Sequence, residues 1–262
     1  MTNHYSLEPR EAPMLISVPH AGTDLPGAIA ETMTRDAVAL PDTDWFVDRL
    51  YAFARQRDVG IIRAHVSRYV IDMNRAPDGA RLYPGRAETE LCPTTLFDGR
   101  PVYRPGAAPD AEEIDARRQR YWQPYHDGLR RELGRLRALH GRVLLWDAHS
   151  IRSRVPRLFD GILPDLNFGT GGGPSCAAAL TTAIVDRARA FNQFNTVLNG
   201  RFKGGYITRQ YGEPGAGIDA IQLEIAQSAY MDETNPVFDP ERAAPLIRVL
   251  EAVVDTALQS LS

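Results

Sequence analysis

Two apolar runs in this chain each end in histidine: residues 15–20 read LISVPH and residues 144–150 read LLWDAHS. Both runs have the composition of a buried strand, so His20 and His149 are expected at strand ends. Side chains two apart along a strand share a face, which sets Asp147 beside His149. A carboxylate next to an imidazole orients it as a metal ligand or as a general base. The plainer alternative is a hydrogen-bonded pair at a sheet edge.

Further segments carry polar groups that packing alone does not ask for. SRYVIDMNR (67–75) sets Arg68, Asp72, Asn74 and Arg75 on or just after an apolar run. A guanidinium's planar fork suits a carboxylate, and an amide adds a donor beside it. An Asp72–Arg75 ion pair tying a turn is the structural alternative. In AIQLEIA (220–226), Glu224 interrupts a strand of Ile, Leu and Ala. Such a carboxylate serves either a salt bridge or acid–base work, because an apolar setting lifts its pKa toward neutrality. PDTDW (41–45) supplies two acids before a helical pattern, and helix capping explains one of them. RFKGGYITRQYG (201–212) has a Gly-Gly pair that would let backbone approach a ligand, with Lys203, Tyr206, Arg209 and Tyr211 around it. Of the other histidines, His65 reads as a packed or edge residue. His126 and His140 read as solvent-facing on a long helix, and His4 as part of a frayed terminus.

Two histidines and an acid for a metal, a lone glutamate for proton transfer and arginines for an anionic substrate make the inventory of a mononuclear zinc hydrolase. Three N/O ligands leave one position for water, the metal lowers that water's pKa to about 7, and a carboxylate takes its proton. No HExxH occurs, which excludes thermolysin-type peptidases on pattern.

These groups need a scaffold to bring them together. MLISV (14–18), VGIIRAHV, RVLLWDAH, NTVLNG and GIDAIQLEIA read as strands, with RYVIDM another, split off near Ser67. Helical spacing of Trp45, Val47, Leu50, Tyr51 and Ala54 predicts a helix over 43–58 with Asp42 or Thr43 as N-cap. Helices are also predicted over 111–141, kinked at Pro124 and stopped by Gly141, over 175–191, and from Pro240 onward. Residues 76–108 and 163–174 read as loops, the first a long surface excursion. Alternating strands and helices predict one α/β domain over residues 1–262, with a mixed or mainly parallel central sheet flanked by helices. Ligands in such sheets gather at the carboxyl ends of strands.

Bulk properties narrow the function classes. A net charge of −3 gives no electrostatic footprint for nucleic acid or an anionic membrane. Two cysteines are too few for a disulfide framework or a Cys-based zinc site, and they fit a reducing cytoplasm. The first residues lack the order of a signal peptide, and no apolar run is long enough to span a bilayer. A soluble cytoplasmic protein is expected.

The sequence resembles the N-formylglutamate amidohydrolases (N-formylglutamate deformylases) of histidine breakdown. The matching segments are SVPHAG, DTDWFVDRLY, SRYVIDMNR, LLWDAHSIRS, LPDLNFGT, FKGGYITRQYG and AIQLEIAQSAYM, in this order along nearly the whole chain. That family is distantly similar to the zinc carboxypeptidases and aspartoacylase, so the resemblance implies a zinc-carboxypeptidase-like (phosphorylase/hydrolase-like) fold. It also implies His20 and His149 as zinc ligands, Asn74 and Arg75 as a carboxylate clamp, Arg68 as the carbonyl-polarising arginine and Glu224 as the base. One departure matters. The distant relatives place an acidic ligand three residues after the first histidine, where this chain has Thr23. Asp44 is therefore expected to supply the acid, with Asp42 and then Asp24 behind it. The implied reaction is hydrolysis of N-formyl-L-glutamate, a small dianion whose second carboxylate is assigned to Arg209. The alternatives are another N-acyl amino acid, a peptide C-terminus, or a non-catalytic amino-acid-binding protein.

Overall fold

The apolar runs before the histidines are strands buried along their whole length, as parallel strands covered on both faces must be. A computed structural model of the chain describes residues 4–82 and 88–261. β1 (Tyr5–Glu8), β2 (Met14–Val18), β3 (Gly60–Ala64), β4 (Val143–Ile151), β5 (Leu166–Gly169), β6 (Thr196–Leu198) and β7 (Ile218–Ala226) form one sheet ordered β1-β3-β2-β4-β7-β5-β6. β3, β2, β4 and β7 run parallel, while β1 is antiparallel to β3 and β5 antiparallel to β7. The fold is a single α/β domain with a mixed sheet.

Alternation along the strands assigns the two faces. Ile16, Trp146 and Leu223 enter one core, beneath the helices Ala178–Arg189 and Pro240–Leu261. Leu15, Leu145 and Ala220 enter the other, beneath the helix Gln123–His140. On this second face the apolar residues give way toward the strand ends to Ser17, Asp147, His149, Gln222 and Glu224, all buried. Because β2, β4 and β7 are adjacent and parallel, their carboxyl ends gather these groups, and His149 is the register partner of Glu224.

Four stretches differ from expectation. Residues 43–58 hold two short helices, Val47–Leu50 and a 3-10 turn Ala52–Arg57, and neither Asp42 nor Thr43 caps them. Phe46 adopts φ 62°, which stops helix from running back to Thr43. RYVIDM is a buried turn-rich segment, because its polar side chains face the site instead of alternating across a sheet. The predicted loop 163–174 contains β5. The excursion 76–108 is partly internal: Leu91, Cys92, Leu96, Phe97, Val102 and Tyr103 are buried. The long helix is interrupted by a π-turn at Arg118–Trp122 before Pro124, whose missing N–H removes one backbone bond, and it ends at Gly141 with φ 77°. Among the described residues, no helix is long and apolar enough to cross a membrane.

Candidate active site

Three buried side chains converge beyond β2 and β4. His20 follows β2 by two residues, His149 lies on β4, and Asp44 arrives on the turn before Phe46, its N–H held 3.2 Å from the His20 carbonyl oxygen. One ligand atom from each of His20, Asp44 and His149 lies within 4.8 Å of the others. The two imidazoles present Nδ1 to the acid: Asp44 Oδ2 is 3.0 Å from His149 Nδ1 and 3.8 Å from His20 Nδ1. His20 Nδ1 and Asp44 Oδ1 are buried without a hydrogen-bond partner. Orphaned lone pairs on a buried imidazole and a buried carboxylate are costly unless a cation takes them. The donor set of two imidazoles and one carboxylate fits a zinc-like ion.

A second carboxylate stands behind each histidine. His20 Nε2 is 2.7 Å from Asp72 Oδ1, and His149 Nε2 is 3.2 Å from Asp147 Oδ1. These contacts at Nε2 set the ring orientation and leave Nδ1 of each ring turned toward Asp44. Asp147 is itself held: its Oδ1 accepts from Ser17 Oγ at 3.3 Å and its Oδ2 from Asn74 Nδ2 at 3.0 Å. Burial pushes the Asp72 carboxyl up, but the His20, Arg75 and Arg68 charges outweigh it and hold the group well below the usual range. Burial, and Arg68 after it, lower His20 against the pull of Asp72 and Asp44. His149 is buried too, yet Asp147 and Asp44 hold its proton affinity well above the ordinary value.

The three groups open onto one cavity that Arg68, Arg75, Phe97, Arg201, Gln222 and Glu224 also line. Burial, with the Asp44 charge adding to it, pushes the Glu224 carboxyl up to about 8 against the pull of His149. Gln222 Nε2 donates to Glu224 Oε2 at 3.3 Å. Arg68 Nη2 donates to Asp72 Oδ2 at 2.8 Å, its Nη1 comes within 3.6 Å of Asp44 Oδ1, and its guanidinium lies 4.7 Å from the centroid of Phe97. Arg75 is braced by Thr89, Nε donating to the carbonyl and Nη2 to the hydroxyl.

Several expected residues take other positions. Asp42 is buried, but its Oδ2 accepts from Tyr69 Oη at 2.6 Å and from the Phe97 N–H at 2.8 Å, and Asp24 is exposed. Arg209 is exposed and outside the cavity lining, whereas Arg201, eight residues earlier, lines it. Asn74 lines the cavity, yet its Nδ2 already meets Asp147 and His149, and its Oδ1 accepts from the Ile207 N–H at 2.7 Å. The Gly-Gly pair makes room for that amide: a Cβ on Gly205 would come 2.4 Å from Asn74 Nδ2. His126 is fully buried, not solvent-facing, between Met73 O at 2.9 Å and Tyr211 Oη at 2.8 Å. His4 precedes β1 and packs its ring against Tyr121. The sequence reading gave Asp72 no part beside His20 and overlooked Arg201 and Gln222. An acid within an apolar run between two arginines was the available signal for Asp72. Nothing in the local pattern distinguished Arg201 from Arg209.

A family model of the N-formylglutamate amidohydrolases matches residues 12–231. The N-formylglutamate deformylase of Pseudomonas putida is 48% identical over 247 residues, covering 94% of this chain and 92% of that one. That of Pseudomonas aeruginosa is 50% identical over 253 residues, 95% of this chain and 92% of the other. The structure of an N-formylglutamate amidohydrolase from Ralstonia eutropha JMP134 matches with a TM-score of 0.82 over 98% of this chain and 96% of that one. At 22% identity, that likeness concerns the fold alone.

Proposed function

The chain belongs to the N-formylglutamate amidohydrolase family, and we propose that it hydrolyses N-formyl-L-glutamate to formate and L-glutamate. The observation that carries this reading is the convergence of His20, Asp44 and His149 in the lining of a cavity that Glu224 and three arginines also line. About half-identity to two deformylases over more than nine-tenths of the chain supports the choice of substrate.

His20, Asp44 and His149 would hold one zinc ion, which when bound supplies a Lewis acid for the formyl oxygen and lowers the pKa of water. Asp72 and Asp147 orient the two imidazoles. Glu224 takes a proton from the attacking water and delivers it to the leaving amine nitrogen, which suits a carboxyl raised toward neutrality by burial. Arg68, held by Asp72, faces the charge that develops on the carbonyl oxygen, where one placed donor is typically worth about 3 kcal/mol. Arg75, with Asn74 beside it, grips a substrate carboxylate. Asn74 stands beside it with its amide held by Asp147, His149 and the Ile207 N–H, and so positions this part of the site. A place in histidine breakdown and a cytoplasmic setting belong to the same reading, and two buried free thiols agree with a reducing compartment.

Purified protein should release formate and glutamate from N-formyl-L-glutamate, lose turnover on chelation, and regain it with zinc. Turnover that survives complete removal of metal would overturn the reading.

A further inference from the structure

Ile151, Leu158 and Phe202 line the cavity and share one apolar cluster. Arg201 lines it beside them, with Nε donating to the Leu158 carbonyl at 2.6 Å and the guanidinium 5.2 Å from the Phe202 ring centroid. We infer that this wall is the side-chain subsite, with the apolar surface taking the two methylenes of a glutamyl side chain and Arg201 its terminal carboxylate. The inference rests on the proposed deformylation and deepens it by naming what selects the amino acid.

Three considerations favour Arg201. Arg68 and Arg75 stand among the site's polar groups, tied to Asp72 and Thr89 respectively, so they suit the reacting amide and the carboxylate next to it. Arg209 does not line the cavity. A glutamyl side chain is apolar near its backbone and anionic at its end, and the wall offers both surfaces side by side, hydrocarbon and a guanidinium. The contact at Nε and the ring beside it hold the guanidinium in place before substrate arrives, which reduces the ordering cost of gripping a carboxylate.

The test compares N-formyl-L-glutamate with its uncharged isostere N-formyl-L-glutamine, on wild-type protein and on Arg201→Leu, both loaded with zinc. Wild type should prefer the charged substrate. Arg201→Leu should lose on the order of 10- to 100-fold in kcat/KM on N-formylglutamate, chiefly through KM, and at least ten times less on N-formylglutamine. Arg201→Lys should recover part of the loss, and zinc content should be unchanged. Equal losses on both substrates overturn the inference while leaving the proposed function standing. A wild-type protein that hydrolyses neither substrate overturns both.

Discussion

His20 Nε2 and Asp72 Oδ1 meet at 2.7 Å, with both side chains buried. The contact fixes which nitrogen is left for a metal. His20 Nδ1 then faces Asp44, and His149 repeats the pattern with Asp147 behind its Nε2. Asp72 also receives Arg68 and the Asn74 N–H, so one carboxylate ties His20 to Arg68, the proposed metal ligand to the arginine proposed to face the carbonyl.

Asp72→Asn should therefore weaken zinc binding by about 10- to 100-fold, the usual cost of losing a carboxylate behind a histidine ligand. Competition against a chelator of known affinity measures it. Unchanged affinity would remove Asp72 from the metal site.

The acids at 42 and 44 should separate cleanly. Asp44→Ala should abolish zinc binding, because it removes a ligand. Asp42→Asn should keep the zinc and lose stability, because Asp42 holds Tyr69 Oη and the Phe97 N–H. Metal analysis and melting temperatures on both variants check the assignment, and zinc lost only from Asp42→Asn would reverse it.

How far the sequence reveals this arrangement depends on what each residue answers to. LISVPH and LLWDAHS read as strands because burial on both faces demands continuous apolar runs, and their polar ends mark where the sheet opens onto the cavity. SRYVIDMNR misleads for the opposite reason. Its β-branched residues suit a strand, but Arg68, Asp72 and Asn74 must all reach the same few ångströms, so the backbone coils. Residues 43–46 break a helical pattern because Asp44 has to meet both histidines. Tertiary demands of this kind leave no local period. The same limit applies to Arg201, in the loop before Tyr206–Tyr211, and Arg209, on that helix, whose places relative to the cavity are set by how the segment is laid down.

Arg75→Leu should leave the metal in place and reduce kcat/KM on N-formylglutamate by on the order of 10- to 100-fold. An N-formyl amine lacking the neighbouring carboxylate should be affected far less. Equal losses would show that Arg75 serves chiefly to anchor Thr89.

His126 should make stability fall in mild acid. Burial lowers its pKa to about 3, whereas the unfolded chain titrates near the ordinary histidine value of 6.5. Between these values the unfolded state binds a proton that the folded state refuses, so stability rises with pH. The contribution is complete above 6.5 and is lost as pH falls from there toward 3. From pH 6.5 to pH 5 the loss should be about 2 kcal/mol. Urea unfolding of wild type and His126→Gln at both pH values tests this. The variant should lose less on acidification, and parallel losses would place the cause elsewhere.

Glu224 bears on the chemistry itself. Among the described residues it makes no ion pair, and its contact is with Gln222 Nε2 at 3.3 Å. A structural salt bridge therefore does not account for an acid in this strand. Glu224→Gln nearly preserves volume and can still meet Gln222, so fold and zinc content should stay close to wild type. A glutamine cannot accept a proton from water. The expected result is a fall in kcat of about 10²- to 10⁴-fold with little change in melting temperature. Both quantities should be measured on one preparation whose zinc content is known. A variant that melts early but keeps its turnover would mean that Glu224 supports the sheet, and another group would have to carry the proton.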